Sequence, residues 1–156
     1  MRINKEKMKE FMHYVISKFD SNINRTELCN LLYLLEFNYY KINKKPLTNE
    51  IYNKYPKIAR PQHFIEIKDE LLEENKIIEV NDPIYVGSYV ELEYSSLKPV
   101  EINFLNKEEI AIIDSIIEKF LSMKTNEINN KIKNCISKNN IWNSTDCYDV
   151  LNLAIA

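Results

Sequence analysis

One glycine in 156 residues is the most exclusive feature of this chain. Phosphate-cradling loops need several glycines where the backbone closes on the phosphate, so neither a P-loop nor a dinucleotide-binding turn can be written around Gly87 alone. Few glycines and five prolines favour long helices with short connections. The three cysteines, Cys29, Cys135 and Cys147, are odd in number, far apart and without a Cys-x-x-Cys pair. They frame neither a disulfide scaffold nor a zinc site, and they suit a reducing, cytoplasmic compartment. The two histidines, His13 and His63, are equally scattered, so no metal site and no cofactor is expected. No apolar run approaches about 18 residues, so no membrane span is expected. The opening MRINKEKMKEFM carries charge where a secretory leader would have an apolar core. Neither sign of charge dominates: the net value is -2, and the one basic run is KINKK at 41–45. A nucleic-acid binder shows a basic stripe, so nucleic acid is not expected as the main ligand.

What is present is apolar and aromatic. A hydrophobic fraction of 45% over 156 residues suits one core, read here as a single domain over 1–156. Met8, Phe11, Met12, Val15, Ile16 and Phe19 recur three and four apart, the face of an amphipathic helix over 6–19. A second helix follows, with Asn24 or Thr26 able to accept from its first free N–H groups. Leu28, Leu31, Leu32, Leu35 and Tyr39 form its stripe, and Cys29, Tyr33, Leu34, Phe37 and Tyr40 widen it nearly all round. Such a helix is central and touches neighbours on several sides. Pro46 stops it.

Residues 48–64 read as irregular, with Pro61 in the first turn of a third helix faced by Phe64, Ile67 and Leu71 and ending near Asn75. KIIEV (76–80) and IYVGSYVELEY (84–94) read as strands, with Val90, Leu92 and Tyr94 alternating with Glu91 and Glu93. Asn106 with Glu109 resembles a capping box opening a helix over 106–123, with Ile110, Ile113, Ile117 and Phe120 on one face. A further helix starts at Thr125, and 138–150 is a loop carrying the only tryptophan, Trp142. The expected fold is therefore α+β and predominantly helical, with five to six helices around the 26–41 helix and a small β-hairpin over 76–94.

No catalytic residues are expected. Asp69/Glu70, Glu73/Glu74 and Glu108/Glu109 fall on solvated faces or helix starts. His13 beside the first stripe reads as a half-buried structural residue, His63 as a surface one. Cys29 reads as a small buried apolar residue, and a nucleophile would need a paired base. Glu36 is different, because a buried carboxylate must be hydrogen-bonded or paired. Its partner is either Lys41 or a backbone donor at the helix edge, or a group within a binding groove. Tyr33, Tyr39, Tyr40, Tyr52, Tyr55 and Trp142 fit a core or an interface, since tyrosine joins a large apolar body to a polar tip.

The stretch TELCNLLYLLEFNYYKINKKPLTNEIYNKYP resembles the central helix and following loop of the Panacea domain, the SocA-like antitoxin family. Leu31, Leu32 and Tyr33 match its helix signature, Glu36 stands where the family often has Gln, and Lys45, Pro46 and Leu47 match its loop. LNKEEIAIIDSIIEKF resembles its penultimate long helix, and IWNSTDCYDVLNLAIA its closing segment, with Trp142 in place. The resemblance spans roughly 8–156. Two motifs depart: the family's Tyr-Gly-Pro is YPKIARP here, and the Thr/Ser-His before the tryptophan is replaced by CISKNN. The resemblance implies a non-enzymatic antitoxin that binds a co-encoded toxin directly. The partner-binding residues expected are Tyr40, Tyr55, Arg60 and Trp142, with Tyr33 and Glu36 behind them. The alternative is a phage- or mobile-element-encoded regulatory protein or protease adaptor that binds a host factor.

Overall fold

A computed structural model describes residues 2–55, 58–81 and 91–121, and the backbone of 147–149. Helix α1 (Lys5–Ser17) is capped by Asn4, whose side chain accepts from the Lys7 N–H at 3.1 Å. Its stripe of Met8, Phe11, Met12, Val15 and Ile16 is fully buried, and Phe19 packs against the same core. After the two-residue strand β1 (Ile23–Asn24), helix α2 (Arg25–Asn43) is capped by Asn24, which accepts from the Glu27 N–H at 2.7 Å. Every residue of α2 from Leu28 to Phe37 is buried. That all-round burial follows from neighbours on several sides: α1, α4 (Lys107–Leu121), β1, β3 (Ile58–Pro61) and β5 (Leu92–Ser96) all touch it.

The described residues form four helices and two three-stranded sheets, so the expectation of five to six helices with one small hairpin is corrected. The first sheet has the order β1-β5-β4, all antiparallel, with β4 (Ile77–Asn81) running from Ile77 opposite Ser96 to Asn81 opposite Leu92. The expected 76–94 hairpin thus lies within a larger sheet that β1 completes. The second sheet, β3-β2-β6, occupies the stretch read as irregular. Strand β2 (Ile51–Tyr55) pairs with β3 on one side and with β6 (Cys147–Asp149) on the other, so part of the expected 138–150 loop is strand. The helix from Thr125, Val90 and Trp142 lie outside the described residues.

Proline explains the misreading of 51–61. Pro61 ends β3 opposite Tyr52, and helix α3 (Phe64–Glu73) begins only after it. The next residue, Gln62, donates its N–H to the Ile51 carbonyl at 2.8 Å. Pro61 therefore sits between ladder bonds on an edge strand, where a missing N–H costs nothing. The outward N–H of Ala59 is taken by the buried side chain of Asn30 at 2.9 Å. The edge of β3 is thus closed by α2 and by Pro61.

The shortage of glycine also leaves its mark. Three left-handed residues, Lys44 (φ 59°), Asn49 (φ 64°) and Asn75 (φ 56°), are not glycine. Asn75 completes a Schellman end to α3, its N–H on the Leu72 carbonyl at 3.1 Å and that of Lys76 on Leu71 at 3.0 Å. Asparagine adopts this geometry readily, whereas lysine at the end of α2 does so at a steric cost from its Cβ. Lys44→Gly is expected to stabilise the protein by about 0.5–1 kcal/mol, the relief of Cβ strain exceeding the added freedom of the unfolded chain. A rise in the urea midpoint at unchanged slope would check it.

Candidate partner-binding hairpin and the carboxylates beneath it

Strand alternation divides the β2–β3 hairpin into two faces. Tyr52, Ala59 and Pro61 point inward and are buried, while Asn53, Tyr55, Ile58 and Arg60 share the opposite, partly exposed face. Tyr55 and Arg60 are brought together there. The Arg60 guanidinium lies 5.2 Å from the Tyr55 ring centroid, and its Nη2 is 3.5 Å from the Tyr55 hydroxyl. Tyr55 is 41% exposed. Among the described residues no carboxylate forms an ion pair with Arg60.

Tyr33 and Glu36 belong to the core beneath, not to the surface, and both are fully buried. Tyr33 meets Tyr52 edge-on at 5.4 Å and stacks on Phe37 at 6.3 Å. Glu36 Oε1 accepts from the Thr48 N–H at 3.1 Å and from the Thr48 hydroxyl, and Oε2 accepts from the Tyr52 hydroxyl. Its partners are therefore a backbone donor and two hydroxyls. Lys41 instead lies over the Phe37 ring, 5.5 Å away. Burial pushes the Glu36 carboxyl up to about 8, the Thr48 and Tyr52 bonds oppose this, and the nearby Glu50 charge adds to it. Tyr40 is half-buried against the core near the end of α2, and Trp142 lies outside the described residues.

Glu50 is a second fully buried carboxylate, and sequence reasoning gave no reason to single it out. It accepts from the N–H of Ile51 at 2.8 Å and from the N–H and Nδ1 of His63 at 3.3 and 3.0 Å. Ile51 opens β2 and His63 follows β3, so one carboxylate ties both legs of the hairpin at its base. Burial raises the Glu50 carboxyl above its ordinary value, with the His63 bond opposing. The Thr48 hydroxyl links the two acids, donating to Glu36 and accepting from the Glu50 N–H at 3.2 Å. Thr48 and Glu50 fall in the stretch read as irregular, where nothing in their own neighbourhood reveals burial.

Elsewhere, polar groups are engaged structurally. His13, deeper than the half-buried position expected, has Nε2 3.1 Å from the Ser96 hydroxyl and 3.2 Å from the Lys98 carbonyl. Burial lowers its pKa. It borders a cavity of about 80 Å³ with Lys9, Glu10 and Glu74, but Lys9 pairs with Glu74 at 2.8 Å and Glu10 binds backbone N–H groups. Cys29 is fully buried, and that burial pushes its thiol far up, which disfavours the thiolate. Among the described residues no group of three His, Cys, Asp or Glu side chains could hold a metal, and no helix is long and apolar enough to cross a membrane.

A mixed helix-and-sheet core thus presents an arginine–tyrosine pair on a hairpin held from below by two buried acids. The chain belongs to the SocA-like antitoxin family, whose Panacea domain model matches residues 28–135. That span begins within the first turn of α2, takes in the hairpin and α4, and stops short of the Trp142 segment. Neither a curated protein nor a solved structure matches the chain.

Proposed function

We propose that this protein is an antitoxin that neutralises a co-encoded toxin by binding it directly, and that the outer face of the β2–β3 hairpin carries the contact. Membership of the antitoxin family supports the role. The observation that supports the face is the Arg60–Tyr55 pair, a half-buried cation and an exposed ring with no carboxylate partner among the described residues. Arginine and tyrosine are the residue types that dominate interface energetics. A partner carboxylate could pair bidentately with Arg60 while an apolar group packs on Tyr55. Tyr40 and Trp142 are further contact residues in this reading, and Tyr33 and Glu36 support the hairpin from within the core.

The test is co-expression of the tagged chain with the small protein encoded beside it, read by growth and by the stoichiometry of the purified complex. A companion lethal alone, harmless with this chain and bound near one-to-one supports the reading. A protease or host regulator as the partner, with no toxic companion, moves the assignment to an adaptor. Tyr55→Ala and Arg60→Ala are each expected to weaken the complex by about 2 kcal/mol, roughly thirtyfold. Tyr55 is exposed, so its truncation leaves the fold intact, whereas the Arg60 Nε is buried without a hydrogen-bond partner, so urea unfolding of Arg60→Ala separates a loss of contact from a loss of stability. Calorimetric titration checks this, and unchanged affinity in both variants would place the contact on another face.

A further inference from the structure

We propose that the partner presents an acidic, extended segment to the hairpin, with one carboxylate on Arg60, a second on Arg2, and an apolar side chain in the cavity that Arg2 borders at the foot of β2. This inference rests on the hairpin being the partner surface. The chain has three arginines among its 21 lysines and arginines. Arg25 is engaged, its Nη2 lying 2.9 Å from the Tyr94 hydroxyl and 3.6 Å from the Glu79 carboxylate. Arg2 and Arg60 form no ion pair among the described residues, and both lie along the hairpin. The Arg60 Nε is buried without a hydrogen-bond partner, so the free protein leaves a donor of that guanidinium without an acceptor.

The cavity measures about 790 Å³, and Arg2, Ile3, Lys5, Glu6, Ile51 and His63 line it. Ile51 is the first residue of β2, and strand alternation puts it on the same outer face as Asn53 and Tyr55. Asn53 stands opposite Arg60, and the Gln62 N–H donates to the Ile51 carbonyl at 2.8 Å. Successive outward positions on a strand are about 7 Å apart, so the cavity lies one such step from Arg60 and two from Tyr55. An extended chain laid along this face therefore places alternate side chains over Tyr55, over Arg60 and into the cavity. Residues 2–4 are fixed beside it, since the Asn4 N–H donates to the Thr48 carbonyl at 2.9 Å just before β2. Charge selects the occupant. Lys5 is taken by Glu66 at 2.6 Å, and Glu6, the one acid in the lining, approaches Lys9 at 3.8 Å. The His63 Nδ1 is turned to the buried Glu50 at 3.0 Å. Arg2 is left as the lining cation without a counter-charge among the described residues. Two such guanidinium groups beside the half-buried Ile3 and Ile51 fit carboxylates carried on a peptide, because the planar guanidinium pairs bidentately with a carboxylate. Phosphate suits guanidinium too, but a nucleic acid calls for a basic stripe, and this surface joins its two cations through an apolar cavity with an acid in its lining.

The experiment uses the purified complex from the co-expression above, whichever partner it contains. Arg2→Gln is expected to weaken the complex about tenfold. Ile51→Thr keeps a β-branched strand former but removes apolar volume from the cavity, and should weaken it about fivefold. Arg2 is exposed and outside every helix and strand, so its substitution keeps the test decisive if Ile51→Thr folds poorly. Wild-type affinity should fall about tenfold between about 0.05 M and about 0.3 M salt, and this dependence should shrink in Arg2→Gln. Arg2→Lys and Arg60→Lys, treated with a carbodiimide that joins an amine directly to a carboxylate, should each cross-link to an aspartate or glutamate of the partner. Mass spectrometry should place the two acids within a few residues of each other. Unchanged affinity and no cross-link in the Arg2 variants, with Tyr55→Ala and Arg60→Ala still weakening the complex, would overturn the inference and leave the hairpin contact standing. Cross-linked acids far apart in the partner would overturn the single extended segment. A complex that nuclease dissolves would assign the arginines to phosphate and overturn it as well. Unchanged affinity in every variant would place the partner on another face, and failure to obtain any complex would overturn the proposed function itself.

Discussion

Glu10→Ala is expected to lower the stability of the protein by about 3–5 kcal/mol. The Glu10 side chain is almost fully buried on α1, in the middle of the Met8–Phe11–Met12 stripe. Its Oε1 accepts from the N–H groups of Asn103 at 2.6 Å and Phe104 at 3.1 Å, and its Oε2 from Phe104 at 3.0 Å and Leu105 at 2.6 Å. Three successive backbone donors thus converge on one carboxylate, which makes charge-assisted bonds about twice as strong as neutral ones. The segment they belong to leads directly into the capping box of α4, where Asn106 and Glu109 exchange side-chain-to-backbone bonds at 2.8 Å each. Glu109 also meets Lys7 of α1 at 2.5 Å. Truncating Glu10 therefore strands donors that no other side chain reaches and loosens the approach of α4 to α1. Part of the loss is recovered, because Asn103 and Phe104 are exposed enough for water to replace the carboxylate. Leu105 is buried and has no such relief. Glu10→Gln keeps one acceptor but sets an amide NH2 against backbone N–H groups, so an intermediate loss of about 1–2 kcal/mol is expected. Urea unfolding of the three proteins checks the order; a Glu10→Ala loss below about 1 kcal/mol would mean that the loop finds its bonds elsewhere.

Glu10 also marks the boundary of what the sequence discloses. Local chemistry is legible: the apolar spacing of α1, α3 and α4 and the caps at Asn24 and Asn106–Glu109 each depend on residues within a turn of one another. The burial of α2 was legible for the same reason, since an apolar surface nearly all round has no other stable home. The partners of Glu10 lie more than 90 residues away, and no spacing rule reaches them. The second sheet was hidden because its strands are short, its pairing to β6 spans most of the chain, and two prolines imitate a loop. Of the candidate site, the residue types Tyr55 and Arg60 could be read, but their meeting is a product of the β2–β3 register, which places Asn53 opposite Arg60 and Tyr55 opposite Ile58. The placement of Glu36 in the core was foreseeable from its helix. Its pairing with Thr48 and Tyr52, and the presence of Glu50 beside it, depend on how the connector returns under α2.

Glu36 gives the second large effect, and its sign with pH is the reverse of the usual carboxylate. In the folded protein the group is pushed up to about 8, against an ordinary value of 4.5 that the unfolded chain restores. Between those values the folded state holds a proton that the unfolded state has released, so stability falls as pH rises, by up to about 1.4 kcal/mol per pH unit. The contribution is complete below about 4.5 and is lost by the time the pH passes 8. Glu50, raised by the same burial, adds in the same direction. His13 acts in the opposite direction at the acid end, since its lowered pKa favours the neutral ring and its contribution fades as pH falls. Urea unfolding at pH 5.5, 7 and 8.5 is therefore expected to show declining stability, with Glu36→Gln removing most of the decline. Glu36→Ala should cost about 3–5 kcal/mol at pH 5.5, because it opens a cavity and leaves the Thr48 N–H and two buried hydroxyls without their acceptor. At pH 8.5 the cost of that truncation should shrink, since the wild type then bears the strain of a buried anion that alanine lacks. If wild-type stability instead rises over this range and Glu36→Gln leaves the slope unaltered, Glu36 is ionised in the fold, and the Thr48 and Tyr52 bonds outweigh its burial.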